Sequence, residues 1–189
     1  MKIFLQKVEY SLLALFLAVQ TQVPFVLIQF YKGRDQSFSM GYTLLILMIY
    51  LLIIFYALRM AKKEGLLTLD FSFFNLKSVI WLVLSYLITF GVSIFAAIIM
   101  VLDGQLSGTT ANQTALQNLF QSTPVVLLIV GAVFSAPILE EIIFRGLIPQ
   151  KLFPKHELIG LIVGSILFGF FHGPTNIGSF VLYAGMGGV

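Results

Sequence analysis

The sequence contains no cysteine and few charges, and both absences narrow what the chain can be. Without cysteine it forms no disulfide bond, no thiolate metal site and no cysteine nucleophile. Charged residues make up 10% of the 189 residues, against about 25% in soluble domains. The net charge of +3 is small and no nucleic-acid motif accompanies it, so we expect no nucleic-acid partner.

Hydrophobic residues dominate instead, at 59% of the chain, and the mean hydropathy is +1.00. Because a helix needs about 20 apolar residues to cross a bilayer, the pattern predicts an integral membrane protein that contacts the lipid bilayer. The expected fold class is all-α, a polytopic membrane helical bundle. It has at least five complete transmembrane helices, plus the start of a sixth near residue 179. The complete spans are predicted at residues 11–31 (interrupted at residues 20–22 and at Pro24), 42–58, 79–102, 125–147 and 158–171.

The distribution of positive charge predicts the orientation of these spans. Residues 19–22 offer no small-residue cleavage site, so the first span is expected to be a retained helix rather than a signal peptide. A cytoplasmic N-terminus places most Lys and Arg residues inside, with Lys32 and Arg34 outside. The segment 103–123 contains neither Lys nor Arg and is expected to be a solvated outside loop. Residues 62–77 fit either a helix on the cytoplasmic surface or a polar connector.

Residues 138–145, Ile-Leu-Glu-Glu-Ile-Ile-Phe-Arg, place two carboxylates and an arginine inside an apolar span. Ionisable groups at membrane depth are costly and indicate a functional site. Helical residues four apart share a face, so Glu141 and Arg145 are predicted to form an ion pair, with Glu140 on another face. An unpaired carboxylate in apolar surroundings is the better base. Glu140 is therefore the candidate base, and the Glu141–Arg145 pair is a candidate structural support.

Two further residues complete this candidate site. Pro137 removes a backbone hydrogen bond and is expected to open the helix near residues 134–135. His172 closes the fifth predicted span. If the fourth and fifth spans pack antiparallel, Glu140 and His172 are offset by about 7 Å along the helix axis, and they could meet around one water. Taken singly, the His fits helix packing and the Arg fits snorkelling to the interface.

At these positions the sequence resembles the CPBP family of intramembrane proteases, also called the CAAX-processing and bacteriocin-processing (Abi) family. Its Glu-Glu-x-x-x-Arg motif matches residues 140–145 and its Phe-x-x-x-His motif matches residues 168–172. The resemblance covers residues 125–189, which form the expected CPBP/CAAX-protease-like catalytic region. Residues 1–124 are the expected N-terminal region of transmembrane helices and loops.

The resemblance implies a role for each matching residue. Glu140 would activate the hydrolytic water, His172 would hold that water or a metal, and Arg145 with Glu141 would order the site. Glu140 and His172 would then be ligands of Zn²⁺, as in a metalloprotease, and the alternative is a metal-independent glutamate mechanism. Two aromatic residues of the motifs would pack the site or the substrate, Phe144 and Phe168. The implied substrate is a membrane-associated protein or peptide, either prenylated and CAAX-like or bacteriocin-like. The size of the chain and the lack of eukaryotic targeting signals predict a bacterial plasma membrane.

The family's third motif, a His followed four residues later by Asn, does not occur before Val189. The sequence is therefore expected to be incomplete at its C-terminal end. One alternative is a non-proteolytic regulator that binds a membrane partner, or a bacteriocin self-immunity protein. Another is a small transporter or proton relay, which would need an inverted repeat or broken helix pairs.

Overall fold

The structure is a computed structural model that describes residues 1–32, 38–67, 75–105, 109–121 and 123–189. Within these ranges it contains helices and no strand, which confirms the predicted all-α membrane bundle. The predicted outside residue Arg34, and residues 68–74 of the predicted surface segment, lie outside the described residues. The helices are α1 (Lys2–Lys32), α2 (Met40–Lys63), α3 (Leu76–Leu102), α4 (Ala111–Phe120), α5 (Val125–Leu152), α6 (Glu157–Phe171) and α7 (Ile177–Gly188).

Four of these helices, α1, α2, α3 and α5, are long and apolar enough to cross a bilayer. The chain is accordingly an integral membrane protein. The predicted fifth span is α6, whose 15 residues extend about 22 Å, less than the roughly 30 Å of a hydrocarbon core. The predicted interruption near Pro24 does not end α1, which runs through this proline as one helix.

The predicted outside loop differs from the structure, because residues within 103–123 form the ten-residue helix α4. The side chain of Thr110 caps this helix by accepting a hydrogen bond from the Gln113 backbone N–H at 3.2 Å. Such a cap stabilises a helix by about 1 kcal/mol. Polar residues led to the prediction of a loop here, but one of them, Thr110, caps the start of a helix.

Helix α5 is wider than an α-helix along most of its length. Residues 129–135 and 141–152 follow π-helical hydrogen bonding. The short segment 136–140 between them is α-helical. The first wide stretch ends at Ser135, two residues before Pro137, where the sequence predicted that the helix opens. Wide helical turns recur at functional sites in proteins, and here the two stretches enclose Glu140.

Helix α6 packs against the second half of α5 through glycines. A Cβ atom built on Gly164 would lie 2.5 Å from the Phe144 backbone oxygen, and one on Gly160 would lie 2.5 Å from the Pro149 Cα. Both distances are too short for any side chain, so these glycines permit the close approach of α6 to α5. Helix α7 then packs against α6 and α3. The backbone of α6 is held directly against the helix that carries Glu140.

Candidate active site

The structure brings Glu140 and His172 together, as their spacing predicted. Glu140 ends the short α-helical stretch of α5, and His172 directly follows α6. The distance between Glu140 Oε1 and His172 Nε2 is 3.8 Å, and the two side chains are 19% and 14% exposed. A carboxylate and an imidazole that are this close and mostly buried form a pair able to share or transfer a proton.

A backbone hydrogen bond determines which nitrogen of His172 faces the carboxylate. His172 Nδ1 lies 3.0 Å from the carbonyl oxygen of Phe168. Since a carbonyl oxygen only accepts, Nδ1 carries a hydrogen and donates it. In the neutral imidazole, Nε2 is then the unprotonated nitrogen, and this is the nitrogen that lies 3.8 Å from Glu140 Oε1.

Aromatic rings surround the imidazole of His172. The ring of Phe168 lies 4.4 Å from it at 36°, and the ring of Tyr183 stacks on it at 4.4 Å and 15°. Phe144 packs edge-on against Phe168, with ring centroids 5.2 Å apart. Phe168 therefore packs directly against the histidine, and Phe144 packs against Phe168 from the α5 side.

The predicted ion pair between Glu141 and Arg145 is present on a different face of α5. Arg145 Nη1 lies 2.5 Å from Glu141 Oε2, and Arg145 Nη2 donates a hydrogen bond to the Met186 carbonyl at 2.8 Å. The Glu141 side chain is 60% exposed. Arg145 thus links α5 to α7, and the two adjacent carboxylates have separate surroundings.

Glu140 and His172 line an open cavity of about 540 Å³. Its wall on the α5 side includes Ser135 and Pro137, next to the widened part of the helix. Other walls come from helices that the motifs do not include, through Thr21, Gln22 and Phe25 of α1, Tyr50 of α2, and Asn112 and Leu116 of α4. The cavity is large enough to admit a segment of a peptide chain, and its wall mixes polar and apolar side chains.

A second cavity, of about 460 Å³, lies on the other side of α5. Glu141 and Arg145 line it, together with the apolar side chains of Leu58 and Ile142. Pro137 borders both cavities. The helical offset between Glu140 and Glu141 therefore directs one carboxylate to each cavity.

Sequence reasoning missed several residues of this site. The Tyr183 hydroxyl lies 2.5 Å from Thr110 Oγ1, and Asn112 Nδ2 donates to the same hydroxyl at 3.4 Å. Thr21 and Gln22, read only as an interruption of the first span, line the cavity with Glu140. A polar pair inside an apolar span was a signal that could have identified this α1 contribution.

The side chains at the site supply part of a metal-binding set. Within the described ranges of the chain, no group of three or more His, Asp or Glu residues is placed to hold a metal ion. Glu140 and His172 provide two donors, whereas zinc sites in proteins use three or four protein ligands. The donors that the described residues bring together therefore do not complete a zinc site.

Comparisons with known proteins find a family model and relatives that match this chain. Residues 121–189 match a family model described as type II CAAX prenyl endopeptidase Rce1-like. The UPF0177 protein YajF of Lactococcus lactis subsp. lactis strain IL1403 is 30% identical over 168 residues, covering 88% of this chain and 82% of that protein. No solved structure matches the chain.

A second relative from the same strain is longer. The UPF0177 protein YvdC is 29% identical over 143 residues, which is 75% of this chain and 52% of YvdC. The chain therefore spans about half the length of that relative. The name of neither relative states a reaction or a substrate.

Proposed function

Because this chain belongs to the UPF0177 family and to the CPBP family of CAAX-protease type, we propose that it is an intramembrane endopeptidase. It would hydrolyse a peptide bond of a membrane-associated protein or peptide. The observation that carries this proposal is the pairing of Glu140 Oε1 with His172 Nε2 at 3.8 Å, inside a cavity that both residues line.

The separation of the two groups suits one shared water. A water about 2.8 Å from each atom closes a triangle whose third side is the observed 3.8 Å. Such a water donates one hydrogen to the carboxylate of Glu140 and the other to the Nε2 lone pair of His172. Its oxygen lone pair then faces away from both residues, toward the cavity where a carbonyl carbon would lie.

The proposed reaction uses Glu140 as general base and then as general acid. The water oxygen attacks the carbonyl carbon while its proton passes to Glu140, giving a tetrahedral intermediate. The carbon–nitrogen bond then breaks and Glu140 returns the proton to the leaving amine, so that the carboxylate is regenerated. His172 orients the water, and the position of its ring is fixed by the Phe168 carbonyl. General acid–base catalysis of this kind contributes about 10²- to 10⁴-fold to a rate.

The Glu141–Arg145 pair has a supporting role in this proposal. Arg145 binds both Glu141 and the Met186 carbonyl, and so it holds α7 against α5. Since α7 carries Tyr183, which stacks on His172, this link helps to keep the histidine opposite Glu140. Phe168 packs against the imidazole, and Phe144 supports Phe168 from α5.

Zinc is a separate proposal from this water-only scheme. Glu140 and His172 would supply two of its ligands, and the ion would polarise a water or a carbonyl when bound. Since a third protein ligand is not among the described residues, no step above is assigned to a metal. Activity that falls in the presence of a chelator and returns with Zn²⁺ would support the zinc proposal.

The proposed substrates are a prenylated CAAX-like protein or a bacteriocin-like peptide, presented at the membrane. Apolar side chains such as Phe25 and Leu116 in the cavity wall are suited to a hydrophobic peptide segment. The proposed location is the bacterial plasma membrane, with the N-terminus in the cytoplasm. The cavity would then receive the part of the substrate that lies within the bilayer.

Cleavage of a membrane-tethered reporter peptide in proteoliposomes tests the proposed function. The wild-type protein is compared with Glu140→Gln and His172→Ala, with and without chelator. Matched controls are Glu157→Gln and His156→Ala, which change the same residue types at exposed positions outside the site. We expect at least 100-fold slower cleavage in both site variants and wild-type rates in both controls. Equal cleavage rates in all five proteins would contradict the proposed site. No cleavage by wild type across a broad panel of reporters would contradict the endopeptidase proposal and favour a partner-binding regulator or immunity protein.

A further inference from the structure

We propose that Tyr183 is a positioning residue for His172, and that the Thr110 hydroxyl fixes Tyr183 in this role. The segment before α4 would thereby control the orientation of the imidazole. The effect on catalysis rests on the proposed function, whereas the control of the ring orientation does not.

The ring contact is the first part of the argument. Tyr183 lies nearly parallel to His172 at a centroid distance of 4.4 Å, and its side chain is buried. The single hydrogen bond from Nδ1 to the Phe168 carbonyl leaves the imidazole plane free to tilt about that bond. A buried ring stacked on the imidazole prevents this tilt, because the imidazole cannot turn without overlapping the tyrosine. The direction of Nε2 toward Glu140 therefore depends on Tyr183.

The hydroxyl contacts are the second part. Tyr183 Oη and Thr110 Oγ1 lie 2.5 Å apart, and Thr110 is only 2% exposed. Asn112 Nδ2 donates to Tyr183 Oη at 3.4 Å, and the Gln113 backbone N–H donates to Thr110 Oγ1 at 3.2 Å. Each hydroxyl thus accepts from the start of α4, and one donates to the other. This small network holds the far end of the tyrosine ring in one place.

The hydrogen-bonded network lies beside the cavity, where a bound substrate would contact it. Asn112 contacts the Tyr183 hydroxyl and also lines the cavity with Glu140 and His172. Leu116, one turn further along α4, lines the same cavity. A peptide that enters the cavity therefore contacts the segment that fixes Tyr183, and binding is coupled to the orientation of His172 through two hydroxyl groups.

Nuclear magnetic resonance of the His172 ring tests the orientation directly. The chain has two histidines, so a His156→Gln background without a polyhistidine tag leaves one imidazole to observe in nanodiscs. Stacking on Tyr183 shifts the ring protons of His172 upfield. We expect Tyr183→Leu to remove that shift and Thr110→Val to reduce it. Thr110→Ser, which keeps the hydroxyl, should retain it.

Controls separate this effect from general destabilisation. Tyr86→Leu makes the same change on α3, where the tyrosine is 71% exposed, and should leave the His172 resonances in place. Thr110→Val also removes the cap of α4, whereas Tyr183→Phe removes only the hydroxyl and should reduce the shift as well. Because Tyr183→Phe keeps the ring, it provides the test if Tyr183→Leu does not fold. His172 resonances that are the same in Tyr183→Phe, Thr110→Val and wild type would overturn the proposal.

Reporter cleavage supplies the second readout. We expect Tyr183→Phe and Thr110→Val to lower kcat about tenfold, the effect of one lost hydrogen bond, with KM within twofold of wild type. Thr110→Ser should restore kcat. A reporter that wild type fails to cleave would contradict the proposed function, and the His172 resonances would still decide the positioning role. An unchanged kcat together with displaced His172 resonances would overturn the catalytic part alone.

Discussion

Two neighbouring carboxylates have different surroundings because a helix turns by about 100° per residue. Glu140 lines the cavity of about 540 Å³ with His172, whereas the Glu141 side chain is 60% exposed and paired with Arg145. The same residue type thus serves as candidate base at one position and as counter-charge at the next. This difference follows from spacing, and it was predictable from the sequence.

The geometry predicts that substitution of Arg145 lowers stability and cleavage more than substitution of its partner Glu141. Glu141→Gln removes an exposed ion pair, which contributes at most about 1 kcal/mol, so cleavage should fall less than about fivefold. Arg145→Lys keeps the charge but cannot direct two donors to Glu141 and to the Met186 carbonyl at once. We expect it to lower the melting temperature in detergent and to slow cleavage more than Glu141→Gln does. Equal melting temperatures for the two variants would contradict the link between α5 and α7.

Residue spacing predicted the contacts that lie close together in the sequence or on adjacent helices. The ion pair of Glu141 with Arg145 spans four residues, and Glu140 with His172 joins two consecutive helices. The contact of Thr110 with Tyr183 joins residues 73 apart. It has no local signature, because nothing near either residue indicates that α7 passes beside the start of α4.

At the scale of helices, the position of α6 depends on Gly164, because a side chain at this residue would collide with α5. Gly164→Ala would place a Cβ 2.5 Å from the Phe144 carbonyl oxygen, and α6 would have to move away from α5 with His172 at its end. We expect a loss of about 1 to 3 kcal/mol of stability and at least tenfold slower cleavage. The matched control is Gly91→Ala on α3, where a Cβ meets nothing within 4 Å. Unfolding and reporter cleavage measured on both variants check this, and a Gly164→Ala protein as active as Gly91→Ala would contradict it.

Hydropathy predicted the positions of the long helices, but it did not predict the polar helix α4 or the π-helical stretches of α5. The four long apolar helices fall where apolar runs indicated spans. Helix α4 was read as a loop because its residues are polar, although Thr110 caps it. The π-helical stretches of α5 were also beyond prediction, since only Pro137 suggested that the helix opens. Wide turns depend on packing against neighbouring helices, which a linear pattern does not contain.

For the whole molecule, the candidate site includes residues from outside the part of the chain that the family model matches. Residues 121–189 match the Rce1-like family model, but the cavity also uses Thr21 and Gln22 of α1 and Tyr50 of α2. The N-terminal helices therefore form part of the cavity wall. Differences in these helices among related proteins would change the shape of the cavity while the motif residues stay the same.

The absence of cysteine permits a direct test of orientation in the membrane. A cytoplasmic N-terminus predicts that α4 lies outside and that the connection between α5 and α6 lies inside. Single cysteines at the exposed positions Gln117 and Lys155 have no background thiol in the chain. We expect an impermeant thiol reagent to label Gln117→Cys in intact cells and Lys155→Cys only after permeabilisation. The opposite pattern would show that the N-terminus lies outside.

The most direct test of the central claim is cleavage by the wild-type protein and by Glu140→Gln in proteoliposomes prepared in ¹⁸O-labelled water. Hydrolysis by a water that Glu140 activates predicts one ¹⁸O atom in the new carboxyl group of the wild-type product. It also predicts at least 100-fold less product from Glu140→Gln, while Glu157→Gln matches wild type. Equal amounts of labelled product from wild type and Glu140→Gln would contradict the account.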